Sequence, residues 1–324
     1  MVPINGAGNR ILVTGATGFV GSALVDALQD RARRALRRPA ADPRRGDAIV
    51  GNIGADTDWQ AALSGIDCVV HLAARTHVLH EQATDPLADY RRINVEGTRQ
   101  LAQQAAAAGV RRFVFLSSIK VNGESTPDRP FTETDAPMPE DAYGISKLEA
   151  ETALRDIAAQ TGVELVVIRP PLVYGPGVKG NFLRLMKLVD RGVPLPLASV
   201  HNRRSLVYVG NLADAVVSCM DLPSAAGKTF LVSDGEAVST PELVRRLASA
   251  MGRPARLLPC PVSLLKLGAA ISGQSDAVAR LTGSLSVDIS GLRNTLGWQP
   301  RISLDQGLIE TARWYHLAQI QRGT

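Results

Sequence analysis

Short apolar runs alternate with stretches of helical period over the first two thirds of the chain. ILVTG at 11–15, DCVVHLA at 67–73, FVFLSS at 113–118 and VELVVIRP at 163–170 are nearly unbroken apolar runs of strand length. Unbroken hydrophobicity is what a strand shows when both faces of its sheet are covered. Between these runs, apolar positions recur at helical spacing over 19–29, 97–108 and 143–160. Strand, helix, strand units of this kind wind right-handed. The pattern therefore predicts an α/β fold with a doubly wound parallel sheet and helices on both faces.

After Pro170 the rhythm changes. Loops rich in Gly and Pro appear (PPLVYGPGVKG at 170–180, RGVPLPLASV at 191–200), with two more strand-like pieces, SLVYV at 205–209 and KTFLVS at 228–233. One later helix is clearly punctuated, with Thr240 as N-cap, Pro241 at the first helical position and Gly252 as terminator. This half predicts a smaller, more irregular C-terminal lobe. The apolar patch PVSLLKLGAAIS at 261–272 is short and follows a proline, which suits a lobe helix covering a site better than a membrane anchor.

Composition narrows the function classes. At 324 residues and 45% hydrophobic, the chain is long enough for about two domains, each with a core. No run approaches the ~18 apolar residues of a membrane span, and MVPINGAGNR lacks the apolar centre of a signal peptide. A cytoplasmic protein without a membrane partner is expected. Cys68, Cys219 and Cys260 are scattered and odd in number, indicating neither a disulfide framework nor a zinc site. His77, His80 and Glu81 lack the HExxH order and a third ligand, so no metal is expected.

Charge adds one local feature. The net charge is +5, yet residues 31–45 hold seven arginines (31, 33, 34, 37, 38, 44 and 45) against Asp42 alone, leaving the rest nearly neutral. With aromatics at only 4%, the chain lacks the broad basic, aromatic-interleaved surface of a nucleic-acid binder. A nucleotide phosphate suffices to explain such a spot.

TGATGFVG at 14–21 directly follows the first strand and opens the first helix. In that context Gly15 permits the tight turn, Gly18 lets backbone approach a pyrophosphate, and Gly21 allows close helix packing. The ligand's charge then meets free N–H groups at the helix start. Gly6 and Gly8 precede the strand and lack this context. Dinucleotide folds usually place a carboxylate at the end of the second strand, on the ribose hydroxyls. Here RRALRRP at 33–39 ends in Arg37 and Arg38. Arginine there pairs with a ribose 2′-phosphate, so the expected cofactor is NAD or NADP.

Tyr143 and Lys147 stand four apart in a helical stretch and share a face. A phenol with pKa near ~10 transfers protons poorly at neutral pH, but a nearby ammonium and a cationic nicotinamide bring it toward working range. That chemistry suits a carbinol and carbonyl pair. Ser118 ends its strand where a substrate oxygen would arrive, able to hydrogen-bond it as charge develops.

Taken together, TGATGFVG, HLAAR (71–75), NVEGT (94–98), LSSIKVNG (116–123), YGISK (143–147) and RPPLVYGPG (169–177) resemble the extended short-chain dehydrogenase/reductase family over nearly the whole chain. The resemblance implies a Rossmann domain binding NAD or NADP, with Ser118, Tyr143 and Lys147 catalytic and Lys147 also on the nicotinamide ribose. It implies cofactor contacts from Gly15, Thr17, Gly18, Phe19 and Val20, and from Arg37 and Arg38. It adds Asn52 and Ile53 at the adenine, Leu72, Ala73, Ala74 and Asn94 along the cofactor, and Pro170 to Val173 beside the nicotinamide. Where relatives often have Gly-Asp-Leu, this chain has Gly51-Asn52-Ile53, so the adenine amine would meet an uncharged oxygen. The implied division is a dinucleotide domain over 1–174 with returns near 203–233, and a substrate lobe over 175–202 and 234–324. The helices at 97–108 and 143–160 would pair across a homodimer.

Family members with a second lobe of this size mostly handle nucleotide sugars. Asn181, Arg204 and Arg280 resemble residues that hold the nucleotide diphosphate, and Lys120 and Asn122 join Ser118 as candidate sugar contacts. The 4,6-dehydratases place an Asp-Glu pair after the serine, whereas this chain has Ile119 and Lys120, so elimination lacks its carboxylates. Redox at one carbinol remains. The wording SSIKVNGE, with NRRSL and the Arg-ended strand, is similar to bacterial reductases of UDP-4-keto-6-deoxy-N-acetylhexosamines in O-antigen synthesis, which is the first expectation. A UDP-hexose 4-epimerase acting on UDP-glucose or UDP-GlcNAc is the second. A non-catalytic NAD(P)-binding sensor is the third, weakened because such relatives generally lack the tyrosine and lysine.

Overall fold

The computed structural model describes residues 10–40, 42, 46–76, 85–271, 273 and 275–323. Its strands are β1 (Ile11–Thr14), β2 (Ala32–Leu36), β3 (Ala48–Ile49), β4 (Cys68–His71), β5 (Arg112–Leu116), β6 (Glu164–Arg169), β7 (Leu172–Tyr174), β8 (Arg204–Tyr208), β9 (Thr229–Leu231) and β10 (Ala237–Val238). Its first six helices are α1 (Phe19–Leu28), α2 (Gln60–Leu63), α3 (Pro86–Tyr90), α4 (Gly97–Ala107), α5 (Ala142–Thr161) and α6 (Gly180–Asp190). The remainder are α7 (Val209–Asp221), α8 (Thr240–Ala250), α9 (Val262–Ile271), α10 (Ser275–Thr282), α11 (Ser290–Leu296) and α12 (Leu304–Gly323).

Seven strands form one sheet in the order β3-β2-β1-β4-β5-β6-β9, and every pairing is parallel. The fold is a doubly wound Rossmann sheet. Strand order reverses at β1, so the loops leaving β1 and β4 part to opposite faces and open the crevice where such sheets bind ligands. Strand side chains alternate between two cores. Ile11 and Val13 join the core under α1 and α7, while Leu12 joins the one under α4 and α5; Val114 and its neighbours Phe113 and Phe115 divide likewise. Two apolar faces are why the strands read as unbroken runs.

A buried arginine interrupts this apolar frame for a reason. Arg112 Nη1 donates to the carbonyls of Cys219 at 3.0 Å, Met220 at 2.8 Å and Leu222 at 2.8 Å, and its Nε donates to Glu164 Oε2 at 2.8 Å. The carbonyls at the end of α7 lack helical partners, and the guanidinium supplies them. Cys68 and Cys219 are free and buried nearby, and burial pushes each thiol up to about 12.

The smaller lobe is built on a second sheet, β10-β8-β7, with Tyr174, Phe182, Met186, Leu247 and Leu308 in its core. KTFLVS, by contrast, returns to the large sheet as β9, its last strand. A buried polar tie joins the end of β7 to the C-terminal segment. The Tyr174 hydroxyl donates to Asp234 Oδ2 at 2.9 Å, and Asn211 Nδ2 donates to Asp234 Oδ1 at 2.8 Å and to the Ile302 carbonyl at 2.7 Å.

The start of α8 corrects the expected cap by one residue. Ser239 is the N-cap, its hydroxyl accepting from Glu242 N at 3.3 Å. Thr240 instead serves the lobe, donating its N–H to Asn202 Oδ1 at 2.8 Å and its hydroxyl to Leu281 O at 2.7 Å. In α9, Leu265 and Ala269 face inward while Leu264, Leu267 and Ile271 are exposed. Among the described residues, no helix is long and apolar enough to cross a membrane.

Candidate active site

The phosphate loop is built by contacts that only glycine permits. Gly15 has φ +67°, and a Cβ there would lie 2.8 Å from the Ala73 nitrogen, so the loop after β1 rests directly on the one after β4. At Gly21 a Cβ would stand 2.0 Å from the Gly15 oxygen, so the first turn of α1 closes onto the loop. Gly18 is the N-cap without a capping side chain, and no acidic residue lies in the first turn. The free amides of that turn suit an anion, with Thr17 and Gly18 exposed and Phe19 and Val20 half-buried behind. These features fit the pyrophosphate of a dinucleotide.

His71 steadies the loop from below. Its Nδ1 lies 2.6 Å from Thr14 Oγ1 and its Nε2 lies 2.9 Å from Thr98 Oγ1. Burial, and then the charge of Lys147, push the imidazole down to about 3, so it stays neutral. Thr14 Oγ1 also accepts from Ala73 N at 3.2 Å, locking the segment that carries Leu72, Ala73 and Ala74.

The basic spot is less free than its sequence suggests. Arg31 pairs with Asp221 at 2.7 Å, Arg33 donates to the carbonyls of Ala62 and Ser64 at 3.1 and 3.0 Å, and buried Arg34 forks onto Asp47 at 2.8 and 2.6 Å. Arg37 and Arg38 are exposed just past β2, where a ribose-binding carboxylate would stand. Arg44 and Arg45 lie outside the described residues.

At the expected adenine end, Asn52 is exposed and its carbonyl accepts from Thr57 Oγ1 at 2.9 Å. Ile53 lies over Gly97, where a Cβ would come within 2.7 Å of its Cγ2. That explains the glycine in NVEGT. Asn94, expected along the cofactor, has partners in the frame. Its Oδ1 accepts from Arg75 N at 2.8 Å and its Nδ2 donates to Arg75 O and Ser146 Oγ, both at 3.0 Å, so its amide braces the β4 loop against α5. It sits where the backbone widens to i to i+5 bonding over Arg91–Glu96.

Ser118 ends the extended backbone after β5, and Tyr143 lies in the first turn of α5 with its hydroxyl hydrogen-bonded to Ser118. Asp141 caps α5, its Oδ1 accepting from Gly144 N at 2.7 Å. Burial, then the Asp141 charge, raise the Tyr143 phenol above its ordinary value, and the Ser118 hydrogen bond acts against them. Lys147, one turn further along, is buried with its Nζ 4.1 Å from the Phe115 ring centroid. Burial lowers its ammonium to about 7. The Tyr90 ring stands 6.0 Å from that of Tyr143, with Arg75 stacked 5.6 Å beyond.

Two candidate sugar contacts have other partners. Lys120 Nζ donates to Glu124 Oε1 at 2.6 Å and Asp141 Oδ2 at 2.5 Å, pointing neither into solvent nor into open space. Asn122 is 2% exposed, its Oδ1 accepting from Arg169 Nη1 at 3.0 Å and its Nδ2 donating to Thr132 O at 3.1 Å. Its side chain belongs to the scaffold. Beneath Ser118, Ser117 donates to Glu151 Oε1 at 2.6 Å, and Arg169 forks onto the same carboxylate at 2.9 and 2.6 Å. The Glu151 and Arg169 pair escaped the sequence reading, since Glu151 stands in no quoted motif and Arg169 opens RPPLVYGPG without a role of its own.

In the lobe, Asn181 is exposed in the first turn of α6 but is not its cap, which is Lys179. Arg204 donates to Gly283 O at 3.0 Å. Burial lowers its guanidinium below the usual range, Glu124 opposes that, and Arg280 on α10 adds to it. The structure thus brings Arg204 and Arg280 within electrostatic reach. Pro170 is buried, accepting from Ile119 N at 3.0 Å, and half-buried Val173 pairs with Val207. His77, His80 and Glu81 lie outside the described residues, and among the described residues no cluster is suited to a metal.

Comparison with known proteins agrees with this geometry. The chain is 49% identical over 309 residues to the UDP-glucose 4-epimerase of Vibrio cholerae, covering 94% of each protein. It is 27% identical to the N-acetyl-alpha-D-glucosaminyl-diphospho-ditrans,octacis-undecaprenol 4-epimerase of Escherichia coli O157:H7, covering 94% of this chain and 95% of that one. The solved structure of MoeE5 in complex with UDP-glucuronic acid and NAD superposes with TM-score 0.76 at 28% identity, covering 96% of this chain and all of that one. Residues 11–233 match the family profile of NAD dependent epimerases and dehydratases. The phosphate loop, the serine after β5 and the tyrosine and lysine of α5 are thus set in an enzyme that belongs to the NAD dependent epimerase/dehydratase family.

Proposed function

We propose that the protein interconverts the configuration at C4 of a UDP-hexose. The supporting observation is the meeting of Ser118 and Tyr143 at the carboxyl end of β5, in a chain 49% identical to a UDP-glucose 4-epimerase. This reverses the order expected from sequence, where the 4-keto sugar reductase came first.

Gly15, Thr17, Gly18, Phe19 and Val20 would hold the cofactor pyrophosphate, Asn52 and Ile53 the adenine, Leu72 to Ala74 the middle, and Pro170 and Val173 the nicotinamide side. Asn94 positions this wall through Arg75 and Ser146. When bound beside these residues, the nicotinamide would supply reversible hydride chemistry at sugar C4. Ser118 Oγ holds the C4 oxygen, and the Tyr143 phenolate takes the proton of the C4 hydroxyl and later gives it back. Burial alone makes that phenolate hard to form. The Lys147 ammonium, favoured again when ribose hydroxyls hydrogen-bond it, brings the phenol down. Asn181 and Arg280, from the lobe over 175–202 and 234–324, grip the diphosphate together with Arg204 on β8. Homodimer formation through α4 and α5 belongs to the same reading.

Elimination is disfavoured, because Ile119 is buried and Lys120 holds both Glu124 and Asp141. A second reading, net reduction of a UDP-4-keto-6-deoxy-N-acetylhexosamine, draws on Arg37 and Arg38. Two exposed cations at the ribose position suit NADPH, the usual donor for net reduction.

One experiment separates the two. Incubated with UDP-glucose or UDP-GlcNAc alone, the enzyme is expected to exchange C4 isomers without net cofactor oxidation. Stoichiometric NAD(P)H oxidation with a UDP-4-keto sugar, and no isomer exchange, would establish the reductase. In either case Tyr143→Phe should lower the rate by roughly 10²–10⁴-fold while retaining cofactor; a near wild-type rate would refute the proton-transfer role.

A further inference from the structure

Lys120 occupies a position where dehydratases carry a carboxylate, and it contacts Ser118 on one side and the residues flanking Tyr143 on the other. Its backbone N–H donates to Ser118 Oγ at 3.3 Å. Its carbonyl oxygen lies against α5, where a Cβ on Gly144 would come within 2.9 Å. Its Nζ reaches Asp141 Oδ2 at 2.5 Å, while the other oxygen of that carboxylate caps the helix through Gly144 N at 2.7 Å. Tyr143 follows two residues later.

We propose that Lys120 is a positioning residue of this site: it ties the N-cap of the Tyr143 helix to the Ser118 turn and covers the Asp141 charge that the phenol otherwise faces. The inference rests on Tyr143 being the proton-transfer group. The Lys120 side chain is 15% exposed, so the pair is screened less than a surface ion pair. Asp141 opposes phenolate formation, and a cation bound to it weakens that opposition. The other groups facing the phenol are Ser118 and Tyr90, with Arg75 behind Tyr90 and Lys147 one turn on. Lys120 itself faces Glu124 and Asp141, and Glu124 faces Arg204. Glu124 and Asp141 are thereby kept as acceptors of one ammonium. The position that supplies acid and base in an elimination here tunes a neighbouring phenol.

The test is the pH dependence of kcat for wild type, K120M, K120R, D141N and K120M/D141N, with bound cofactor and Tm measured alongside. Without the ammonium, the Asp141 charge acts more fully on the phenol and the phenolate forms at higher pH. K120M is expected to move the acid limb up by roughly 0.5–1 unit, which lowers the rate at pH 7 by roughly 3–10-fold and restores it at high pH. K120R should keep the wild-type limb. K120M/D141N should return to it, because asparagine caps a helix as well as aspartate but carries no charge. An unmoved limb in K120M overturns the proposal, as does an equal loss at every pH accompanied by lower Tm or lost cofactor. Should K120M fail to fold, D141N decides alone: its limb must lie at or below that of wild type, and a rise overturns the proposal. Failure of the underlying reading looks different, because Tyr143→Phe would then stay active.

Discussion

The carboxyl end of the large sheet and the lobe facing it hold their functional side chains in opposite ways. Around Ser118, Tyr143 and Lys147, nearly every polar neighbour is buried and bonded: His71 between two threonines, Asn94 across to Ser146, Glu151 between Ser117 and Arg169. In the lobe, Asn181 and Arg280 are exposed and α9 turns leucines outward. Proton and hydride transfer demand placement to within a fraction of an ångström, and a packed sheet supplies it. Gripping a diphosphate needs charge within reach and tolerates looser walls. The difference teaches where substitutions should damage the fold and where they should damage only affinity.

The largest expected effect is on the rigid side. Glu151→Ala leaves Arg169, 3% exposed, without its carboxylate, and breaking such a buried pair costs about 3–5 kcal/mol. Urea unfolding should show that loss together with lower activity. A small change in stability would mean that the frame is less dependent on its buried charges than the comparison holds.

Arg204→Ala should do the reverse. A charged contact to the diphosphate is lost, worth about 1.5–3 kcal/mol, so KM rises roughly 10- to 100-fold while kcat and the urea midpoint change little. A variant that loses kcat with KM intact would place Arg204 in the chemistry and erase the division.

The smallest effect is a pH trend. Burial holds the folded-state ammonium of Lys147 at about 7, below the ordinary lysine value of 10.5. The folded protein therefore binds this proton less well than the unfolded chain, and stability rises with pH between the two values. Cofactor-free wild type should gain Tm relative to Lys147→Met from pH 7 toward pH 10, as followed by scanning calorimetry. A flat difference would mean that Lys147 is solvated in the absence of cofactor.

Much of the site was legible because its parts are local. TGATGFVG, LSSIKVNG and YGISK each carry their geometry within a few residues of one strand end or one helix turn. The fold was legible for a similar reason, since both faces of each strand are apolar. What the sequence did not show has the opposite cause. Asn94, Lys120 and Asn122 are polar residues in the right motifs whose partners lie 19, 21 and 47 positions away, at Arg75, Asp141 and Arg169. The cluster of arginines read as one basic spot because Asp221, the Ala62 carbonyl and Asp47 are invisible to local pattern. Thr240 looked like a cap until Asn202 claimed its backbone N–H.

By itself, then, the sequence determined the doubly wound sheet, the phosphate loop and the tyrosine and lysine proposed for proton transfer, because periodicity and short motifs encode what neighbouring residues do to one another. Only the tertiary structure decided which polar side chains are spent on the frame, because a hydrogen bond depends on who arrives from elsewhere in the chain. Lys120 is the clearest case. Its type ruled out a carboxylate at that position, and only the fold put Asp141 within its reach.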